Sequence, residues 1–397
     1  MGKTDHIKTT TYIPGLTPLR GIAALLVIAM HYSMFVTVLV PPEITPLVDK
    51  LYLMVDLFFV LSGFIMYHVY GGYFVEGFSI KKLMRFMRAR FARIYPLHLI
   101  TLFFMIALGL LAYFGGTYEG ITAVFYDFTA IPSQLLLTQA MGTHHEATFN
   151  TPSWSISVEW WAYVLFPFVL LLLARTKLWS RWFLGICIIA GYLAIMYHFQ
   201  PEFWVERWRQ MQIPDSMPYP THIIDVITGG SAFLRCMCGF VWGMLVYELF
   251  TKDWAKSFLK NGITLISIWG LLFLLWHFRL LPDYGAVFFF GMMILAAAYN
   301  RDTVGKWLNN RFWRYMGDIS YSIYMVHMPI IFTFIFIRGV LVDPDPLKGM
   351  FGYNFSPMAS WLGLAAMYIT TIVVASITFC YIEKPARAYL KKAKNIV

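Results

Sequence analysis

Arg20 and His31 are separated by ten residues, Gly21 to Met30, every one of them apolar or glycine. A neutral imidazole is the usual general base near neutral pH, because its unperturbed pKa lies close to the working pH. On a helix, eleven steps of about 100° come to roughly 1100°, about 20° past three turns, so the two side chains share a face. Their offset along the axis is about 16 Å. In an apolar layer about 30 Å thick, an arginine at one boundary therefore holds the histidine near the middle, where an ionisable group is costly and is a functional candidate. A histidine that simply bonds a neighbouring helix fits the same position.

Other polar side chains enter apolar runs in a similar way. Asp56, in Leu51-Tyr-Leu-Met-Val-Asp56, is expected about 7 Å below the opposite surface and needs a partner, with His31, Arg235 or a polar cavity as candidates. Glu159 follows Ser153-Trp154-Ser155-Ile-Ser157-Val and lies at about the same level, just below a belt of Trp154, Trp160 and Trp161. Two carboxylates and a midplane histidine together describe a polar cavity opening to that side. Tyr321, Tyr324 and His327 recur every three residues and can share a face, with His327 about 14 Å from the end of its run. Ser62 and Gly63 fit either close helix packing or the wall of a substrate channel, and Arg235, followed by Gly239 and Gly243, reads as packing. Glu383-Lys384-Pro385 reads as a local ion pair at a helix end.

A basic cluster runs Arg85-Phe-Met-Arg88-Ala-Arg90-Phe-Ala-Arg93-Ile-Tyr95. Membrane orientation accounts for some of these charges, but their density exceeds that need. Arginine forks match phosphate geometry, so a phosphate-bearing ligand arriving from the cytoplasm is the second reading.

The elements that would position these residues are transmembrane helices. The 397 residues are 59% hydrophobic and only 13% charged, well below the quarter or so expected of soluble domains. The net charge of +10 then belongs to loops facing anionic lipid, and nucleic acid is excluded as a partner. The four cysteines lie in apolar runs and suggest neither disulfides nor a metal site, Cys236-Met-Cys238 not being a zinc spacing. The first apolar run lacks a cleavage pattern and is long enough to span.

Ten apolar segments can be marked, at about 20–40, 51–70, 94–114, 155–174, 182–199, 232–250, 262–281, 284–299, 319–338 and 359–381. Lys and Arg alternate with them: they crowd the N-terminal tail, 81–93, 175–181, 252–260, 301–314 and 384–394, whereas 41–50 holds only Lys50 and 115–154 none. This alternation predicts an all-α polytopic membrane protein with both termini cytoplasmic. The chain reads as a single membrane-embedded domain, with tails at 1–19 and 382–397. Two connections, 115–154 and 200–231, are too long to be turns, and the first contains an apolar piece, Ile131 to Met141, too short to span and expected to be re-entrant or interfacial.

Taken in order, Arg20 to His31, Phe58-Phe59-Val-Leu-Ser62-Gly63-Phe64, Arg90-Phe-Ala-Arg93-Ile-Tyr95-Pro96, Ser153-Trp154-Ser155 to Glu159, Ser320-Tyr321-Ser322-Ile-Tyr324 to His327, and Glu383-Lys384-Pro385 make the chain resemble the membrane-bound acyltransferase 3 family along nearly its whole length. The resemblance implies ten helices and transfer of an acyl group, usually acetyl, from cytoplasmic acyl-CoA to a carbohydrate hydroxyl, on a polysaccharide or a lipid-linked oligosaccharide of the bacterial inner membrane. It implies that His31 is the essential histidine and Arg20 its paired arginine, that Arg90 and Arg93 are linked to the donor, and that Glu159 is the acidic residue of the outer motif. No metal is implied. Members acting on surface glycans often carry a fused soluble esterase-like domain; this chain stops at Val397, which leads us to expect that transfer finishes in the membrane domain or on a separate partner.

The mechanism expected on this basis holds the CoA phosphates at Arg88, Arg90 and Arg93, with Tyr95 beside them. The pantetheine arm passes Ser62, and His31 deprotonates a hydroxyl oriented by Asp56 or Glu159. An acyl-histidine intermediate is the second route. A proton-coupled transporter would use the same buried His, Asp and Glu residues, but no inverted repeat or matching pair of broken helices favours it. A non-catalytic scaffold would not need these groups at depth.

Overall fold

The computed structural model describes residues 12–115, 125–144, 147–176, 179–202, 205, 223–341 and 355–392. The tail before residue 12, much of the connection 200–231 and the last five residues lie outside the described part. Among the described residues the chain is helical, with no strand. Eight helices among these residues are long and apolar enough to cross a membrane, and two shorter apolar helices, Gly262–His277 and Asp283–Tyr299, accompany them. The protein is thus an all-α, multi-pass membrane protein, and every expected span coincides with a helix.

The helices that build the site are α1 (Leu16–Phe35), α2 (Met54–Val75), α3 (Ile80–Phe114) and α4 (Ser153–Arg175). Trp179–Ala194 forms α5, and Gly229–Thr251 forms α6. The two shorter helices are α7 (Gly262–His277) and α8 (Asp283–Tyr299). After a short amphipathic α9 (Arg311–Asp318) come α10 (Ser320–Leu341), α11 (Pro357–Thr378) and α12 (Lys384–Lys392).

The third span differs from expectation. The basic cluster is not a connection but the first turns of α3, whose 35 residues extend about 52 Å. That exceeds the apolar layer by about four turns. The arginines are therefore held on a rigid helix rather than on a loop. Ser79 caps its start by accepting from the Lys82 amide at 3.2 Å.

Small residues decide how closely the inner helices meet. A Cβ at Gly63 of α2 would strike the carbonyl of Phe240, and one at Gly243 of α6 the carbonyl of Val60. Gly239 and Gly243 are packing residues, as their spacing suggested, and so is Gly63, for which a channel wall was the other reading; α2 and α6 share the most extensive helix contact among the described residues. Gly21 of α1 touches Gly317 just before α10 in the same manner. His31 meets His327 across the same separation of 296 residues, so α1 and α10 run side by side in the same direction.

The apolar piece Ile131 to Met141 folds into two short, partly buried helical turns, Ile131–Leu135 bonded to α3 and Gln139–Thr143 packed on α4 and α6. Ser157 Oγ and Trp161 Nε1 both donate to the Leu137 carbonyl, at 2.8 and 3.0 Å. Irregular backbone at this depth is tolerated where protein groups satisfy it.

Candidate active site

A cavity of about 260 Å³ opens between α1, α2, α3, α4 and α10. Its walls bring together Arg20, Ser62, Arg90, Arg93, Glu159, Tyr321 and Tyr324, seven of the residues singled out from sequence. Helical periodicity explains the sorting of neighbours: Ser62 turns to the cavity while Gly63, about 100° further round, packs on α6. Arg90 and Arg93, three apart, share the inward face of α3, whereas Arg88 points to the exposed side and is not on the wall.

Glu159 is the cavity's carboxylate. It accepts hydrogen bonds from Ser62 Oγ and, at 2.6 Å, from Tyr163 OH. Tyr163, one turn along α4, went unassigned in the sequence reading, although its spacing of four from Glu159 was the available signal. Arg90 donates to Tyr70 OH at 3.0 Å and lies 5.9 Å from the Tyr163 ring centroid. Three arginines against one carboxylate leave the wall positively charged. Arg90 Nε and Ser320 Oγ are buried in this region without a hydrogen-bond partner. Such a lining fits an anionic ligand.

Asp56 is placed elsewhere, away from His31 and from Glu159. Both of its oxygens are engaged by Arg235, at 3.1 and 2.7 Å, and neither side chain reaches solvent. Arg235 also pairs with Asp225 at 3.2 Å and lies over the rings of Tyr52 and Trp154. A second pairing beside it, missed from sequence, joins Lys50 and Tyr52 to Asp283. The expected outward-opening cavity lined by both carboxylates therefore divides in two: Asp56 belongs to a closed ion-pair network, Glu159 to the arginine cavity. Tyr95 is likewise off the wall, with its hydroxyl on the Leu135 carbonyl at 2.8 Å and its ring stacked on Phe91.

His31 and His327 meet with 3.1 Å between His31 Nδ1 and His327 Nε2. His31 is half-buried and His327 fully buried. The pair lies one aromatic layer beyond the cavity wall: Phe58 and Tyr324 line the cavity, and the Tyr324 ring is 5.8 Å from that of His327. Tyr324 is fixed by Ser155 Oγ at 2.8 Å and by donating to the Pro152 carbonyl at 3.1 Å.

At the arginine end, Tyr321 donates to the Ile94 carbonyl at 2.5 Å. Glu383 is buried between Ser322 Oγ and Arg387. The ion pair expected at this helix end is present, with Arg387 rather than Lys384 as its cation, because i, i+4 side chains meet on a helix.

A family model described as "Acyltransferase domain" (Acyl_transf_3) matches residues 13–380. The chain is similar to "Acyltransferase MdmB" of Streptomyces mycarofaciens, 30% identical over 197 residues covering 46% of each chain. It is also similar to "Protein 2 in picA locus" of Rhizobium radiobacter, 40% identical over 92 residues, 23% of this chain and 43% of the relative. These matches span less than half the length of either curated relative. No solved structure matches.

Proposed function

The chain belongs to the Acyl_transf_3 acyltransferase family, and from that premise we propose that it is a membrane O-acyltransferase that moves an acyl group, acetyl in the simplest case, from cytoplasmic acyl-CoA to a hydroxyl of a cell-envelope or exported carbohydrate. The observation that carries this reading is the arginine-lined cavity that ends one aromatic layer from a histidine pair.

On this reading Arg90 and Arg93, held on the part of α3 that extends past the apolar layer, bind the donor's phosphates, and Arg20 neutralises charge deeper in. The arm of the donor passes Ser62 and Glu159 and presents its thioester toward Tyr324 and His31. His31 removes the proton of the acceptor hydroxyl, whose oxygen bonds to the thioester carbonyl carbon as the C–S bond breaks. Cytoplasmic termini, the bacterial inner membrane and membrane lipid as surroundings complete the proposal. The lysine-rich and arginine-rich connections support that orientation.

The test is to purify the protein, supply acetyl-CoA with a panel of glycan acceptors, and measure free CoA for wild type and for His31→Ala. Turnover should appear in wild type and fall about 100-fold or more in the variant, the usual contribution of a general base. Absence of any CoA affinity in the folded protein would overturn the reading.

A further inference from the structure

The hydrogen bonds around the histidine pair determine where its protons reside. A backbone carbonyl can only accept, so His327 Nδ1, 2.7 Å from the Tyr324 carbonyl, carries a proton. In the neutral ring Nε2 is then a lone pair, and the His31 Nδ1 facing it at 3.1 Å must donate. The same His31 N–H is shared with the Val27 carbonyl at 3.2 Å, which again only accepts. Both partners of Nδ1 thus assign its proton, and His31 Nε2 is left as the basic nitrogen. Phe35 stacks beside the His31 ring, with centroids 6.1 Å apart.

We propose that His327 is the positioning residue of the transfer: it fixes His31 with Nε2 as the proton acceptor and takes up the Nδ1–H bond of the imidazolium formed when His31 removes the hydroxyl proton. The inference rests on His31 being the base. In the step itself the acceptor O–H bond breaks and a His31 Nε2–H bond forms, the hydroxyl oxygen bonds to the carbonyl carbon, and the C–S bond breaks. The proton then passes from His31 Nε2 to the departing thiolate. His327 neither gains nor loses a proton.

Hydrolases commonly give this orienting role to a carboxylate. At the depth of His31 a fixed negative charge is expensive, whereas a neutral imidazole supplies the same acceptor lone pair with far less desolvation. The register of α1 and α10 allows it, since their close approach at Gly21 and Gly317 brings positions 31 and 327 together two and a half to three turns later.

Two measurements test the proposal. Gln at 327 can offer an amide oxygen near the place of Nε2; Asn reaches only to Nδ1, and Leu offers no acceptor. With acetyl-CoA and methyl glycosides as acceptors, His327→Leu and His327→Asn should lower kcat about 100-fold while KM for acetyl-CoA stays within about twofold, and His327→Gln should recover at least about tenfold of the loss. Equal rates for Gln and Asn, or an unchanged kcat in Leu, overturn the proposal; if the Leu protein does not fold, the Gln and Asn pair decides. The second measurement is independent of turnover. In protein labelled with 15N-histidine, the His31 resonances, identified by their loss in His31→Ala, should show a protonated Nδ1 and an unprotonated Nε2 near neutral pH. A proton on Nε2 sinks the assignment even if acyl transfer is confirmed.

Discussion

Asp56 and Arg235 are each wholly buried, so removing Asp56 leaves the buried guanidinium with only the partly exposed Asp225 to balance it. Asp56→Ala should destabilise the protein by about 3–5 kcal/mol, read as an earlier thermal transition in detergent, while Asp56→Leu with Arg235→Met should recover most of it. A double variant that melts no later than the single would show that the pair has a role beyond mutual neutralisation. The arginines of the cavity predict a different signature. Arg90→Ala with Arg93→Ala should raise the apparent KM for acetyl-CoA by about tenfold or more, since hydrogen bonds to a charged group contribute about 1.5–3 kcal/mol each. An unchanged KM in a folded protein would return these arginines to a purely topological role. Residue types and spacing made Glu159, Ser62 and the arginines legible as a set. They did not reveal which carboxylate joined them, because Asp56 and Glu159 lie at similar depths and depth carries no information about facing.

Helix contacts explain why the cavity keeps its shape, since α2 supplies Ser62 to the cavity on one side and Gly63 to α6 on the other. Gly63→Val or Gly243→Val should push α2 off α6, lowering both the folded yield and the transition temperature, overpacking of this kind costing about 1–3 kcal/mol or more. Full stability of both variants would mean that the two helices are free to separate. A second element-level link lies outside the spans. Asp302 accepts from the amides of Gly262, Val304 and Gly305, joining the start of α7 to the turn after α8. These amide bonds, the one from Gly262 foremost, hold its carboxyl below the usual carboxylate range. A depressed pKa means that the link is fully present above the unfolded carboxylate value and is lost as pH falls through the folded one. The protection of the Gly262 amide, its exchange rate taken relative to the intrinsic rate at each pH, should therefore fall on acidification in wild type, and Asp302→Asn should flatten that dependence.

At the scale of the whole molecule, some connections that share a charge character are also joined in space among the described residues. Arg279 donates to the Pro42 carbonyl at 2.7 Å, tying two basic-poor connections together, while Gly262 bonds to Asp302 at 2.6 Å and Tyr299 to Phe250 at 3.2 Å among the basic-rich ones. The apolar runs were legible because the bilayer fixes a minimum apolar length; each expected run has its helix, eight of the ten being long enough to span among the described residues. The reach of α3 beyond the layer was not, since charged residues end a hydropathy signal without ending a helix. Likewise, only the register of α1 against α10, a matter of contacts between segments 296 residues apart, could show that His31 and His327 are partners. These contacts join two pairs of connections, and our proposal, from the charge rule, is that the basic-rich pair is the cytoplasmic one. With native cysteines replaced, single cysteines at Glu43 and Arg279 should react with an impermeant maleimide on intact cells, and those at Lys252 and Lys306 only after permeabilisation. The reverse pattern would place the arginine cavity on the side away from cytoplasmic acyl-CoA. In that case neither the donor assignment nor the direction of transfer from α3 toward His31 would survive.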